Sequence, residues 1–135
     1  MKLLSDLLYK VRIEEVKGNT NLSVASMCFD SREAKQNSIF IATRGHAFNG
    51  HSFISKAIHN GSIVIVCECF PDEFDQGITY VKVKKSSRAL GVIASNFYDN
   101  PSEKIKLIGV TGTNGKTTIV SLLHQLFLLL LHHLN

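Results

Sequence analysis

Cysteine is scarce in this chain, charge of one sign is nowhere gathered into a block, and no apolar run is long enough to cross a bilayer. Cys28, Cys67 and Cys69 make an odd count with no secretory signal ahead of them. That argues against a disulfide framework and for a reducing, cytoplasmic setting. Cys67 and Cys69 alternate within an apolar run, where two thiols on one face of a buried strand belong to a core, so no metal site is expected from them. The most apolar stretch, residues 119–131, is 13 residues long and carries His124 and Gln125. A spanning helix needs roughly 20. Residues 1–11 hold Asp6 inside an apolar pattern with no small-residue cleavage site, which predicts a short amphipathic helix and not a targeting segment. The 15 basic residues exceed the 11 acidic ones for a net charge of +4, yet they are scattered, with Lys82, Lys84 and Lys85 the densest group. Without a basic stripe and interleaved aromatics, neither nucleic acid nor a membrane is an expected partner. A phosphate-bearing small molecule suits the charge as well as nucleic acid does, and a solvated mixed-charge surface accounts for it better than either.

What is present is an alternation of strand-like and helix-like segments. The 135 residues, 44% of them hydrophobic, suffice for one ordinary domain with a real core but not for two complete ones. Residues 22–29 have strand-like content and run into the polar triplet Asp30, Ser31, Arg32, where a turn belongs. Residues 38–42 (SIFIA) form a compact apolar run of strand length, followed by a polar loop over 43–50. From His51 the apolar positions Phe53, Ile54, Ala57 and Ile58 recur at helical spacing, and Gly61 sits where a left-handed cap would end the helix. Residues 62–67 (SIVIVC) read as a buried strand, 71–77 as a loop, and 78–83 (ITYVKV) as an alternating strand. Ser86 or Ser87 can cap a following helix with Leu90, Ile93, Ala94, Phe97 and Tyr98 on one face. Asp99, Asn100, Pro101 and Ser102 break it and mark the best candidate for a domain boundary. The pattern predicts an α/β fold.

Beyond that break, residues 105–110 read as a last strand that enters the glycine loop TGTNGKTT over 111–118, with a helix starting near Lys116. Glycines let backbone amides converge on a phosphate without side-chain obstruction, and a helix N-terminus adds favourable partial charge. Lys116 would reach the β and γ phosphates, the Thr117 hydroxyl would complete a magnesium shell, and Asn114 and Gly115 supply the close approach. The general pattern wants glycine at position 110, where Val110 stands, so Gly112 must serve instead. The competing reading is a turn that merely caps the helix.

The loop GVTGTNGKTT is similar to the nucleotide loop of the Mur ligases and their folylpolyglutamate synthetase relatives. The segment FDSR over 29–32, the strand 38–42, the loop GHAFNGH over 45–51, Phe53, Ala57, Gly61 and the run ASNFYDNPS over 94–102 resemble the Mur ligases that add the third amino acid of the peptidoglycan stem. The resemblance covers about residues 24–126. It implies a small N-terminal UDP-substrate-binding α/β domain over 1–100, followed over 101–135 by the first strand, phosphate loop and helix of an ATP-binding domain. It also implies an ATP- and Mg2+-dependent ligase acting on UDP-N-acetylmuramoyl-L-alanyl-D-glutamate. In that chemistry ATP phosphorylates a carboxylate and the incoming amine displaces phosphate from the acyl phosphate; the protein supplies positioning and charge neutralisation.

Carried onto this sequence, the resemblance assigns Phe29, Ser31, His46, Ala47 and Phe48 to the UDP substrate. Gly112, Thr113, Asn114, Gly115, Lys116, Thr117 and Thr118 go to ATP, with Lys116 catalytic and Thr117 on the metal. Bland alternatives stand beside the first group: Ser31 satisfying a turn, Phe29 in a core, His46 an exposed loop histidine. Asp30 and Arg32 are equally well explained as a local salt bridge or turn cap. Asn49 stands where an aspartate is usual before the Gly50 and His51 pair. The acidic magnesium ligands and the amine-selecting domain of the family are not found, so no turnover is expected of this chain by itself. Residues 105–135 are expected to be marginally ordered or to self-associate through a leucine face. The rivals are the ligase that adds the terminal dipeptide, against which the ASNFYDNPS run argues, and a non-catalytic UDP-sugar or nucleotide-binding module.

Overall fold

The computed structural model describes residues 1–101, 124–126 and 128. It divides into two compact units, Met1–Pro101 and Ser102–Asn135. In the second unit the described residues His124, Gln125, Leu126 and Leu128 are helical. The expected strand over 105–110, the glycine loop with Gly112 to Thr118, and the expectation of marginal order or self-association all lie outside the described residues.

The first unit opens with β1 (Lys2–Leu3) and α1 (Leu4–Leu7), then β2 (Ile13–Lys17), β3 (Ser23–Val24), β4 (Ser26–Cys28) and β5 (Ser38–Ile41). It continues through α2 (Ile54–His59), β6 (Ser62–Cys67), β7 (Thr79–Val83) and α3 (Ser86–Phe97). Five strands form one sheet in the order β2-β7-β6-β5-β4, while β1 and β3 pair separately. β4, β5, β6 and β7 run parallel, and β2 closes one edge antiparallel to β7.

The parallel strands are apolar on both faces because both faces are covered. Ile39, Ile41, Val64, Val66, Val81 and Val83 meet Leu4, Leu7, Ala89 and Ile93 from α1 and α3 on one side. Phe40, Ala42, Ile65, Cys67 and Tyr80 meet Ile54 and Ala57 of α2 on the other. Each fully buried Ile, Leu or Val contributes roughly 1.5–3 kcal/mol relative to exposure. Ser38 and Ser62, which begin β5 and β6 in register, are buried without cost in unpaired groups because their hydroxyls lie 2.8 Å apart. At Gly61 φ is +115°, and a Cβ there would fall 2.7 Å from the Gln36 Cα, so glycine alone fits the turn from α2 into β6.

Several expectations need correction. Residues 1–11 are not one helix: a two-residue strand precedes a four-residue helix, and Leu4 and Leu7 are buried by α3. Residues 22–29 split at Ala25, whose N–H donates to the Asn37 carbonyl, into strands of two different sheets. β2 escaped notice because it is an edge strand whose pattern is nearly all exposed, with only Val16 half-buried. Its charges also protect the edge from pairing with another chain. Cys67 is core, but the strand ends there and Cys69 is exposed. The buried positions of α3 are Ser86, Ala89 and Ile93, while Tyr98 is 65% exposed. No serine caps that helix by its own side chain: Lys85 is the N-cap residue, and the carboxylate of Glu68 accepts from both the Ser86 N–H and the Ser86 hydroxyl. Asp99 and Asn100 then adopt positive φ of 59° and 52°, ending α3 immediately before Pro101.

Candidate functional site

Parallel strands place their following loops at one end of a sheet, and ligands of open α/β sheets bind there. Residues 29–32 follow β4, residues 43–50 follow β5, Glu68 and Cys69 follow β6, and residues 84–86 follow β7. Phe29 and Ser31 thus share the carboxyl end with His46, Ala47 and Phe48 on the neighbouring strand, one spacing of about 4.8 Å away. No hydrogen bond or ring contact joins the two groups among the described residues.

The first loop is a closed turn. Asp30 accepts from the Arg32 backbone N–H at 2.9 Å and pairs with its guanidinium, Nε and Nη2 both engaged. The Arg32 side chain and N–H together hold the Asp30 carboxyl at about 2. Both residues are spent on each other, which accounts for them without a ligand. Between them Ser31 is buried and its carbonyl accepts from the Asn60 side-chain amide at 2.9 Å. The Ser31 hydroxyl makes no hydrogen bond among the described residues and stays available to a ligand. Phe29 is 53% exposed, which rules out the core alternative.

The second loop is pinched at its base. Arg44 and Asn49 form an antiparallel bridge, the Gly45 N–H donates to the Phe48 carbonyl at 2.7 Å, and the Gly50 N–H donates to the Thr43 carbonyl at 2.7 Å. His46 and Ala47 are exposed at the tip, and Phe48 stacks on Phe53 with centroids 4.9 Å apart and planes 11° from parallel. Phe48 is therefore an exposed ring already held flat by a neighbour.

A polar network ties this loop to the next two strands, and residue reading missed its centre. The Glu68 N–H donates to His51 Nε2 at 2.8 Å, so that nitrogen is unprotonated and Nδ1–H faces Asn49 Oδ1 at 2.9 Å. Arg44 Nε lies 3.6 Å from Glu68 Oε2, and Glu68 Oε1 takes both Ser86 donors. Burial pushes the Glu68 carboxyl up, but the two Ser86 donors and Arg44 outweigh it and leave it below its ordinary value. Burial, helped by Arg44 and opposed by Glu68, pushes His51 down. The legible signal was an acid placed directly after the buried run SIVIVC, at a strand's carboxyl end. Burial pushes the Cys67 thiol up to about 12, so it is neither nucleophile nor ligand at ordinary pH.

A depressed histidine makes stability pH-dependent. Below about 6.5, the ordinary imidazole value, the unfolded chain takes up the proton first, so this contribution is present above that pH and lost as pH falls. Asn49→Asp puts a negative charge beside Nδ1 and should raise the His51 value. Thermal melts between about pH 5 and 7 should then lose less stability on acidification than the wild type does. Equal pH dependence would show that His51 is not the group responsible.

The family model for the Mur ligase family, catalytic domain, matches residues 23–98. The chain belongs to the Mur ligase family. It is 53% identical over 125 residues to the UDP-N-acetylmuramoyl-L-alanyl-D-glutamate–2,6-diaminopimelate ligase of Cytophaga hutchinsonii, covering 92% of this chain and 26% of that protein. Among solved structures it resembles the UDP-N-acetylmuramoylalanyl-D-glutamyl-2,6-diaminopimelate–D-alanyl-D-alanyl ligase of Acinetobacter baumannii, with TM-score 0.67 and 25% identity over 87% of this chain and 26% of that one. It also resembles the MurF ligase of Thermotoga maritima in complex with ADP, with TM-score 0.52 and 30% identity over 69% of this chain and 21% of that one. The chain spans about a quarter of the length of the curated relatives it matches.

Proposed function

We propose that residues 1–101 hold the uridine-diphosphate end of UDP-N-acetylmuramoyl-L-alanyl-D-glutamate for a cytoplasmic ligase that adds 2,6-diaminopimelate to it. The observation that carries this reading is the 53% identity to a relative named for that reaction. The exposed Phe29, the uncommitted Ser31 hydroxyl and the pinched loop of His46, Ala47 and Phe48, gathered at one sheet end, support it. The fold is shared with the ligase that adds the terminal dipeptide, so fold does not discriminate; sequence identity favours the third-residue reaction.

ATP and Mg2+ enter the same proposal through Gly112, Thr113, Asn114, Gly115, Lys116, Thr117 and Thr118. Their donor set of backbone amides, one ammonium and several hydroxyls suits nucleotide phosphates, with Thr117 on the metal and Lys116 on the transferred phosphate. Phosphorylation of the D-glutamyl carboxylate supplies the leaving group that the amine displaces, and the part of residues 1–101 is to fix the other end of the substrate so that the carboxylate is positioned.

Thermal melting with and without the UDP-dipeptide, in wild type and Ser31→Ala, tests the reading. A ligand that binds only the folded chain raises Tm by mass action. A shift that Ser31→Ala diminishes is the expected result; no shift at saturating ligand would overturn the assignment of residues 1–101. Lys116→Ala should abolish any shift with magnesium ATP and leave the UDP-dipeptide shift intact.

A further inference from the structure

At the opposite edge of the sheet's carboxyl end lies a cavity of about 430 Å³ that none of the site residues above touches. Its rim carries Lys10, Arg12, Lys84, Lys85 and Arg88 and no acid. Val11, Ala89 and Val92 make the apolar remainder of the wall. Three spacings of about 4.8 Å separate β7, at this cavity, from β4, beside Ser31, so the two places are about 14 Å apart in the sheet.

The cavity is built, not incidental. Asn96 of α3 donates to the Leu7 carbonyl at 3.0 Å and to the Tyr9 carbonyl at 2.7 Å, clamping the chain that leads into Lys10 and Arg12. Lys10 itself has φ of 64°, which turns the chain towards β2. Elsewhere Lys2, Arg32 and Arg44 each have a carboxylate partner, in Asp99, Asp30 and Glu68. None of the five rim cations has an ion pair among the described residues; Lys10 has only the Tyr9 ring, 5.4 Å away. α3 begins here too, with Lys85 as an N-cap residue whose side chain makes no capping bond.

Five like charges around one concavity repel one another, and the repulsion is relieved by an anion that reaches several of them at once. A lone carboxylate leaves most of them uncompensated, whereas a diphosphate concentrates several charges and many acceptor oxygens in a volume this cavity holds. The guanidinium forks of Arg12 and Arg88 match phosphate oxygens in pairs. From this geometry we infer a second anion site, independent of the uridine-diphosphate reading, that takes a diphosphate group, either free or carried on a nucleotide.

The test is calorimetric titration of inorganic pyrophosphate into the 135-residue chain at low ionic strength, for wild type, Lys84→Gln/Arg88→Gln and Ser31→Ala. A saturable binding phase in wild type, weakened roughly tenfold or more in the double variant and still present in Ser31→Ala, is the expected result. Absence of saturable binding, or equal affinity in the double variant, overturns the inference; so does an equal loss in Ser31→Ala, which would put the anion at the other loop. Tighter capture of a single-stranded oligonucleotide than of pyrophosphate also overturns it. A second titration with UDP separates the sources: competition sensitive to Lys84 and Arg88 marks a nucleotide-borne diphosphate, and its absence a free one. Rim side chains are exposed, and the double variant should keep the wild-type circular dichroism; Lys10→Gln alone provides the same comparison should it not.

Discussion

Phe40→Ala is expected to remove about 3–5 kcal/mol of unfolding free energy, the largest loss of any single truncation considered for this chain. Phe40 is completely buried in β5, which has a hydrogen-bonded parallel neighbour on each side, and its ring belongs to the cluster with Cys28, Ile65 and Ala57 under α2. Strands paired on both sides cannot move together to fill the gap, so both the transfer loss and the cavity cost are felt. Domains have only about 5–15 kcal/mol in all, so the variant should stand close to unfolding at room temperature. Urea denaturation measures it, with Ile13→Ala on the exposed edge strand as the comparison, expected within about 0.5 kcal/mol of wild type. A loss for Phe40→Ala near that of Ile13→Ala would mean that the α2 face is not a packed core.

Gly50→Ala should damage the proposed substrate site more than the fold. Glycine is needed here by contact and not by dihedral angle: a Cβ would lie 2.7 Å from the Thr43 carbonyl oxygen and 2.8 Å from the Thr43 nitrogen. Both are backbone atoms and cannot swing aside. The Gly50 N–H bond to Thr43, which closes the base of the loop, must therefore open. Overpacking of this kind costs about 1–3 kcal/mol. The larger consequence is for His46, Ala47 and Phe48, whose position depends on that base, so UDP-dipeptide affinity should fall roughly tenfold or more beyond what the stability change explains. Retained affinity at reduced stability would separate the loop from ligand binding.

Much of the fold was legible because the parallel strands SIFI and SIVIVC are continuous apolar runs and Gly61 marks a helix end without ambiguity. β2 was not, because an edge strand such as IEEVK buries almost nothing and so carries no apolar alternation. The buried face of α3 was misjudged for a related reason: Ser86 and Ala89 are buried through a carboxylate and a close packing contact that side-chain hydrophobicity does not advertise. At the candidate site, Phe29, Ser31 and the loop of His46, Ala47 and Phe48 were singled out by resemblance. The Glu68 network was not found, since its members come from residues 44, 49, 51, 68 and 86 and only the sheet brings them together. The rim of the second cavity was half visible as the dense Lys82, Lys84 and Lys85 group; Lys10 and Arg12 join it only through the antiparallel pairing of β2 with β7.

That closing strand also orders the birth of the molecule. β2 has no partner until residues 79–83 exist, and the amide clamp from Asn96 onto Leu7 spans 89 positions. During synthesis Leu4 and Leu7 meet Val24 early, through the pairing of β1 with β3, but their cover by Ala89 and Ile93 of α3 comes only when nearly the whole first unit is made. Contacts this distant in sequence slow folding because the intervening chain must be ordered before they form. The edge strand β2 and the side of α1 that faces α3 are thus among the last parts of the first unit to be covered, and the interval leaves them open to chaperones and to neighbouring nascent chains.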